Sequence, residues 1–258
     1  KESIALNLKE DNDREVFRAL VGGADVLIEN YRPGVMKKLG FGWDVLHAEF
    51  PSLIYAAVSG FGHSGPYSER AAYDMVVQAM GGVMSLTGHP GGEPTRVGTS
   101  MGDITAALFA AIGICSSLYH RAQTGQGQMI DIGMLDCQVA VLENAIARYS
   151  ATGEIPGPLG ARHPSIVPFD AFKTADSHII IAAGNDGLFV RLCEALGRPE
   201  IAKDERYLKN ALRAQHVDAL GADMESVLTT NSTEHWLGVI QGAGVPCGAI
   251  NNIAQVIA

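Results

Sequence analysis

The sequence predicts an α/β protein with a large domain on a parallel sheet and a smaller α+β domain after it. Three observations lead there. Between residues 3 and 59, short apolar runs alternate with stretches of helical periodicity, the pattern of strands joined by crossover helices. Residues 153–164 then hold three Gly and three Pro in twelve positions, so no regular element persists there. Beyond them the order changes, with two strand-like stretches around a short turn followed only by helical segments.

Taken in order, residues 3–8 alternate as a strand, and residues 12–21 carry Val16, Ala19 and Leu20 at helical spacing before Gly22 and Gly23 stop them. Residues 25–29 read as a short buried strand. The turn Asn30-Tyr31-Arg32-Pro33-Gly34 leads into a helix bearing Lys37 and Lys38, and a second helix covers 43–50. Residues 53–59 are β-branched and aromatic enough to be a central strand. Strand, helix, strand, helix, strand at this spacing implies right-handed parallel crossovers. A glycine-rich loop at 60–65 precedes a helix from 73 to about 85, and a long loop at 88–98 follows it. The run 104–119 is apolar or small almost throughout and reads as a helix with Asp103 in the N-cap position. It is shorter than the ~20 residues a bilayer crossing needs, so it is expected to be a core helix. Residues 129–132 give another strand and 135–152 a long helix. The domains are therefore placed at 1–152 and 165–258, with 153–164 as the linker. In the second, 169–173 and 178–183 flank residues 174–177 as a hairpin, and helices are expected at 186–196, 204 to about 227, and 232–241.

The composition narrows the function classes. At 258 residues, 47% hydrophobic and 18% charged, the chain is an ordinary globular one with room for two domains. A net charge of -9 argues against a nucleic-acid or anionic membrane surface, while leaving local cations free to hold the phosphates of a small ligand. Cys115, Cys137, Cys193 and Cys247 lie far apart, which suggests neither a disulfide framework nor a zinc site and fits a reducing compartment. None of the eight His lies within a helical turn of another, so no metal is expected. No signal-peptide pattern opens the chain, and the expected location is cytoplasmic, or the mitochondrial matrix if the source is eukaryotic. Because it starts at Lys1 rather than Met, directly on a strand-like stretch, the expectation is the middle of a longer protein.

The candidate chemistry sits in Gly98-Thr99-Ser100-Met101-Gly102-Asp103, a carboxylate behind a small-residue turn at the mouth of an apolar helix. A helix N-terminus carries free N–H groups and partial positive charge, which stabilise an anion or a developing oxyanion, and Gly102 lets another molecule approach the backbone. The plain alternative is that Asp103 only caps a buried helix. Two further patterns point elsewhere. Gly60-Phe61-Gly62-His63-Ser64-Gly65 fits the dinucleotide fingerprint, but Pro66 stands where the phosphate-binding helix should begin and no acidic residue ends a second strand ~20 positions on. Gly98-Thr99-Ser100-Met101-Gly102 fits the nucleophile elbow of serine hydrolases, yet Glu93-Pro94-Thr95-Arg96 leaves little strand before the serine, and Asp176 and His178 are too close together for the usual partners. A serine hydrolase or thioesterase using Ser100 is the second reading. Lys9, Arg32, Lys37, Lys38, Arg70 and Arg96 fall at strand ends and loops, where α/β sheets bind ligands, which suits one or two of them to phosphate.

Several stretches, in order, make the chain resemble the class III CoA-transferases, the formyl-CoA transferase group that also holds the α-methylacyl-CoA racemases. They are Glu29-Asn30-Tyr31-Arg32-Pro33-Gly34, Leu39-Gly40-Phe41-Gly42, Ser59-Gly60-Phe61-Gly62, Tyr73-Asp74, Gly81-Gly82, Gly102-Asp103, Thr124-Gly125-Gln126-Gly127 and His163-Pro164-Ser165-Ile166-Val167-Pro168. The resemblance implies a Rossmann-like large domain, an interlocked homodimer, and Asp103 as the nucleophile that becomes acylated. It implies a coenzyme A site with Leu6 and Lys9 on the first stretch, Asn30, Tyr31 and Arg32 lining it, Lys38 as a basic phosphate contact, and Ala71, Ala72, Tyr73 and Asp74 beside the reacting thioester. Racemases of the group carry a histidine base where this chain has Tyr73, and a free phenol titrates near ~10. A transferase is therefore the expected activity, with the racemase as an alternative. Residues 165–184 and the ending Gly244-Val245-Pro246-Cys247-Gly248-Ala249-Ile250-Asn251-Asn252 look closest to the succinyl-CoA-dependent dicarboxylate branch. The expected partners are an acyl-CoA and a small carboxylic acid, with backbone N–H groups near Gly102, Gly157 or Gly160 holding the oxyanion. A catalytically silent CoA-binding subunit is the remaining class.

Overall fold

Ile54, Tyr55, Ala56 and Ala57 are each at most 2% exposed, although alternate side chains of a strand face opposite ways. A strand buried on both faces needs a neighbour at each edge and cover on each side. The computed structural model, which describes residues 1–258, supplies both, and divides into two compact units at residues 1–158 and 159–258.

In the first unit, β1 (Val26–Glu29), β2 (Ile54–Ser59) and β3 (Met129–Gly133) form a parallel sheet in that order, with Ala56 paired to Ile28 on one side and Ile130 on the other. The helices are α1 (Asp11–Gly22), α2 (Val35–Lys38), α3 (Trp43–Glu49), α4 (Asp74–Met80), α5 (Val83–Leu86), α6 (Met101–Thr124), α7 (Met134–Ala140) and α8 (Glu143–Thr152). One face of the sheet, through Tyr55 and Ala57, packs on Val21 of α1, Met36 of α2 and Leu46 of α3. A second cluster joins Val77 of α4, Ala106 of α6 and Cys137 of α7, with Val58 of β2 packed against it.

Five expectations for this unit need correction. Residues 3–8 form no strand: residues 1–5 are exposed and have no neighbouring strand, and a period-two pattern becomes a strand only when another backbone takes up its hydrogen bonds. The helix expected over 73–85 is two, broken where Gly82 adopts the left-handed φ of +88°. The helix expected over 135–152 is also two, and nothing in residues 141–142 explains its break. Finally, α6 begins at Met101 and ends only at Thr124, where Gly125 turns left-handed, because the polar residues of its last turns do not interrupt it. Its 24 residues are long and apolar enough to cross a membrane by length and composition, yet in this unit it packs against α4, α7, β2 and β3. Ser100, not Asp103, is the N-cap residue.

In the second unit, β4 (Phe169–Lys173) and β5 (His178–Ala182) form the expected antiparallel hairpin, and β6 (Cys247–Ala249), too short to stand out in the sequence, pairs with the other edge of β5. The helices are α9 (Asp186–Ala195), α10 (Asn210–Gln215), α11 (Val217–Leu228), α12 (Thr233–Gly242) and α13 (Ile253–Ile257). The long helix expected from 204 does not form there, since the Asp204 carboxylate folds back on the backbone N–H and guanidinium of Arg206, closing a turn. Asn185 and Ser232 cap α9 and α12 through their side-chain oxygens. Ile179, Ile181, Phe189, Leu192, Leu220 and Trp236 fill the core. Beside it the fully buried guanidinium of Arg213 donates to the Val167 carbonyl at 2.6 Å, the Tyr207 carbonyl at 3.0 Å and Asp186 Oδ1 at 2.9 Å.

Candidate active site

Parallel strands deliver their following loops to one end of the sheet, and the loops after β1 and β2 there line a cavity of about 720 Å³. Its other wall is α6. Asp103, Ala106, Ala107, Ala110 and Ile114 recur every three or four residues and so share one helix face, and the alanines leave a trough leading away from the carboxylate.

The turn after β1 is held from below. Glu29, only 6% exposed, accepts the Tyr31 N–H at 2.7 Å and the Tyr55 hydroxyl at 3.3 Å, and His63 Nε2 stands 3.8 Å from its Oε1. Burial first, and the Glu29 carboxylate second, push the Tyr55 phenol up. The backbone N–H of His63 donates to both oxygens of Asp131 at 3.0 and 2.8 Å, which fixes the loop after β2 to β3. Arg32 and Arg70 bring positive charge to the cavity, the latter with its guanidinium 3.8 Å from the centre of the Tyr67 ring.

Asp103 is the third residue of α6 and opens into the cavity. Desolvation by the surrounding protein, and then the charge of Asp74, hold its carboxyl above the usual carboxylate range. Asp74 itself faces the backbone. Its Oδ1 accepts the Gly102 N–H at 2.7 Å and its Oδ2 the Gln78 amide at 2.8 Å, so α4 caps the start of α6 from a distance. An ionised Asp103 of raised basicity beside a roomy trough can act as an oxygen nucleophile toward a bound carbonyl.

The structure brings Asn30, Tyr31, Arg32, Ala71, Ala72 and Tyr73 together with Asp103 around this cavity. It does not bring all the expected residues there. Leu6 lies on a separate apolar groove against Phe17 and Leu20 of α1, and neither Lys9 nor Lys38 lines the cavity. Asp74 does not line it either, because its carboxylate is committed to Gly102 and Gln78. For the same reason the Gly102 N–H, expected as an oxyanion donor, is already taken. Neither Gly157 nor Gly160 is in the lining. Three residues were missed: Ser59, buried with a hydroxyl that has no partner within the chain, and the fully buried Gln78 and Gln138. A glutamine at a core-facing helical position was the available signal for the last two.

The competing patterns do not assemble. No strand precedes Ser100, which is exposed, and Asp176 Oδ1 is committed to the Thr233 N–H and hydroxyl, each at 2.8 Å. Residues 60–65 are followed by loop up to Asp74, with no helix N-terminus to receive a dinucleotide.

A parallel α/β unit whose strand ends enclose a large cavity, with a carboxylate on the flanking helix, defines a protein suited to holding a sizeable ligand beside an oxygen nucleophile. The chain belongs to CoA-transferase family III, whose family model matches residues 1–258. It is 48% identical over 256 residues to the acetyl-CoA:oxalate CoA-transferase of Acetobacter aceti, covering 99% of this chain and 66% of that protein. With the succinyl-CoA–D-citramalate CoA-transferase of Chloroflexus aurantiacus it shares 39% identity over 259 residues, covering 100% of this chain and 64% of that one. The fold is similar to the crystal structure of a CAIB/BAIF family protein from Brucella suis, with a TM-score of 0.88 at 42% identity over 100% of this chain and 68% of that one. The chain spans 57% to 66% of the length of the curated relatives it matches, less than two thirds.

Proposed function

We propose that this chain transfers coenzyme A from an acyl-CoA donor to a small carboxylic acid, with Asp103 forming the covalent anhydride and CoA-thioester intermediates. The single observation that carries this is the exposure of the Asp103 carboxylate into a cavity whose opposite wall holds Asn30, Tyr31 and Arg32. The family supports the activity, and relatives named as succinyl-CoA-dependent transferases support succinyl-CoA or a related dicarboxylyl-CoA as donor.

In this scheme Asp103 attacks the thioester carbonyl, the C–S bond breaks, and a mixed anhydride and CoA thiolate result. The thiolate attacks the aspartyl carbonyl of the anhydride, expels the donor's carboxylate, and leaves an aspartyl-CoA thioester. The acceptor carboxylate attacks that thioester to give a second anhydride, and the thiolate released takes the acceptor's acyl group, restoring Asp103. Each step exchanges groups of similar energy, and no proton is gained or lost overall. Water must stay out of the trough, or the anhydrides hydrolyse.

Asp103→Ala is expected to abolish CoA transfer while leaving the fold intact, as checked by far-UV circular dichroism, and retained transfer would rule the assignment out. If instead a fluorophosphonate labels Ser100 and stops turnover, a serine hydrolase is the better account. CoA binding without exchange of label between donor and acceptor would make the chain a silent binding subunit. The same proposal includes a homodimer, supported by Ile104, Leu108, Phe109 and Ile112 standing exposed along α6. A light-scattering mass of one chain counts against it.

A further inference from the structure

Two glutamine amides, Gln78 on α4 and Gln138 on α7, are fully buried, and a buried amide with no assignment in the core demands an account of its hydrogen bonds. All those they make, apart from the Gln78 contact to Asp74, go to residues 97–105, the segment that presents Asp103. Gln78 Oε1 accepts the Val97 N–H at 2.9 Å, while its Nε2 donates to Asp74 Oδ2 at 2.8 Å and to the Thr99 carbonyl at 3.3 Å. Asp74 passes the restraint on, since its other oxygen takes the Gly102 N–H at 2.7 Å. From α7, Gln138 Nε2 donates to the Met101 carbonyl at 3.2 Å and to Thr105 Oγ1 at 3.0 Å. Thr105, 3% exposed, donates its hydroxyl back to the Met101 carbonyl at 2.8 Å.

Residues 97, 99, 101, 102 and 105 are thus tied at five points from two other helices, while residue 103 between them is left to face the cavity. Nothing local in residues 88–100 could do this, for they contain no regular element and Ser100 gives α6 no side-chain cap. The amides are also uncharged, so they restrain the turn without adding a third charge beside Asp74 and Asp103.

We propose that Gln78 and Gln138 are positioning residues that fix the direction of the Asp103 carboxylate, acting through Asp74 and Thr105 and touching no substrate. The proposal rests on Asp103 being the acyl carrier. A nucleophile whose attack angle is set by its backbone loses rate, not affinity, when that backbone loosens, and a displacement of about 1 Å costs on the order of 100-fold. The cavity residues Asn30, Tyr31 and Arg32, which the proposed function gives to the CoA donor, lie on a different loop.

The test uses the full chain with Gln78→Met, which keeps length and removes both the donor and the acceptor, and Thr105→Val, which removes the hydroxyl at constant shape and guards against a Gln78 variant that does not fold. Kinetics with succinyl-CoA and a dicarboxylate acceptor are read together with amide hydrogen exchange at Val97 and Gly102. The expected result is a kcat lowered roughly 10- to 100-fold with KM for the CoA donor nearly unchanged, faster exchange at those two amides, and sheet amides exchanging as before. Rescue by Gln78→Glu is not expected, since a carboxylate there would face Asp74 and lose the donor. An unchanged kcat in whichever variant folds, or equal losses in KM and kcat with general loosening of the sheet, would overturn the proposal. Acyl label on Asp103 of the unsubstituted chain, measured alongside, separates the two ideas: its absence would remove the acyl-carrier assignment itself, whereas its presence with full activity in both variants would remove only the role of the glutamines.

Discussion

Gly102→Ala separates packing from catalysis at one atom. A Cβ at residue 102 would lie 2.6 Å from Val77 Cγ2, 3.1 Å from Asp74 Oδ1 and 3.4 Å from Met134 Cε. Val77 is fully buried and Met134 nearly so, and ordinary carbon contacts need about 3.5–4.0 Å, so α4 and the first turn of α6 must part by roughly 1 Å. Overpacking of this kind costs about 1–3 kcal/mol, while replacing Gly by Ala within a helix returns up to about 1 kcal/mol, so the net loss of stability is small to moderate. The effect on rate is larger. Moving the residue next to Asp103 by that distance, and stretching the Asp74 to Gly102 hydrogen bond, is expected to lower the kcat of CoA transfer about 100-fold. Urea unfolding and steady-state kinetics on the same preparation measure both numbers. A variant with kcat within about threefold of the unsubstituted chain would show that the Asp103 direction is not set by this contact.

Asp74→Asn removes the second of the two influences that raise Asp103, so the acid limb of the pH profile of kcat/KM, which follows ionisation of Asp103, should move to lower pH, and an unmoved limb would contradict the assignment. Glu29→Ala strips the buried acceptor from the Tyr31 N–H, and the expected loss of order in the turn raises KM for the CoA donor roughly tenfold with kcat little changed, measured by initial rates. In the second unit Arg213→Met leaves the Val167 and Tyr207 carbonyls without their buried donor, for an expected loss of about 1–3 kcal/mol per carbonyl in urea unfolding, while Asp186 keeps Lys209. Hydrogen bonds from Arg213 first, and from Lys209 second, hold Asp186 below the usual range. That contribution is therefore full above the ordinary carboxylate pKa and fades as pH falls through the lowered one, so the variant should also lose part of its acid dependence of stability.

What the sequence made legible was local. The strand β2 could be read because five consecutive residues, Ile54 to Val58, are apolar, as cover on both faces requires, and α1 because its stop at Gly22 and Gly23 is written in the chain. Residues 3–8 carried an equally clear alternation and form no strand, since pairing is decided by what lies alongside. Asp103 stood out because a charge precedes a long apolar run. What caps that run did not, because Asp74 lies 28 residues from Gly102 in sequence and Gln138 lies 37 from Met101, and only the packing of α4 and α7 on α6 brings them in. The motif residues Tyr73 and Asp74 illustrate the limit: adjacent in sequence, one lines the cavity and the other turns its carboxylate to the protein backbone.

The most direct measurement of the central claim is tandem mass spectrometry of the chain quenched during turnover with isotopically labelled succinyl-CoA. The account predicts a labelled acyl or CoA adduct on the peptide that contains Asp103, localised to that side chain and absent from Asp103→Asn. Full turnover with every peptide of this chain unlabelled, or a label on Ser100 instead, would contradict it.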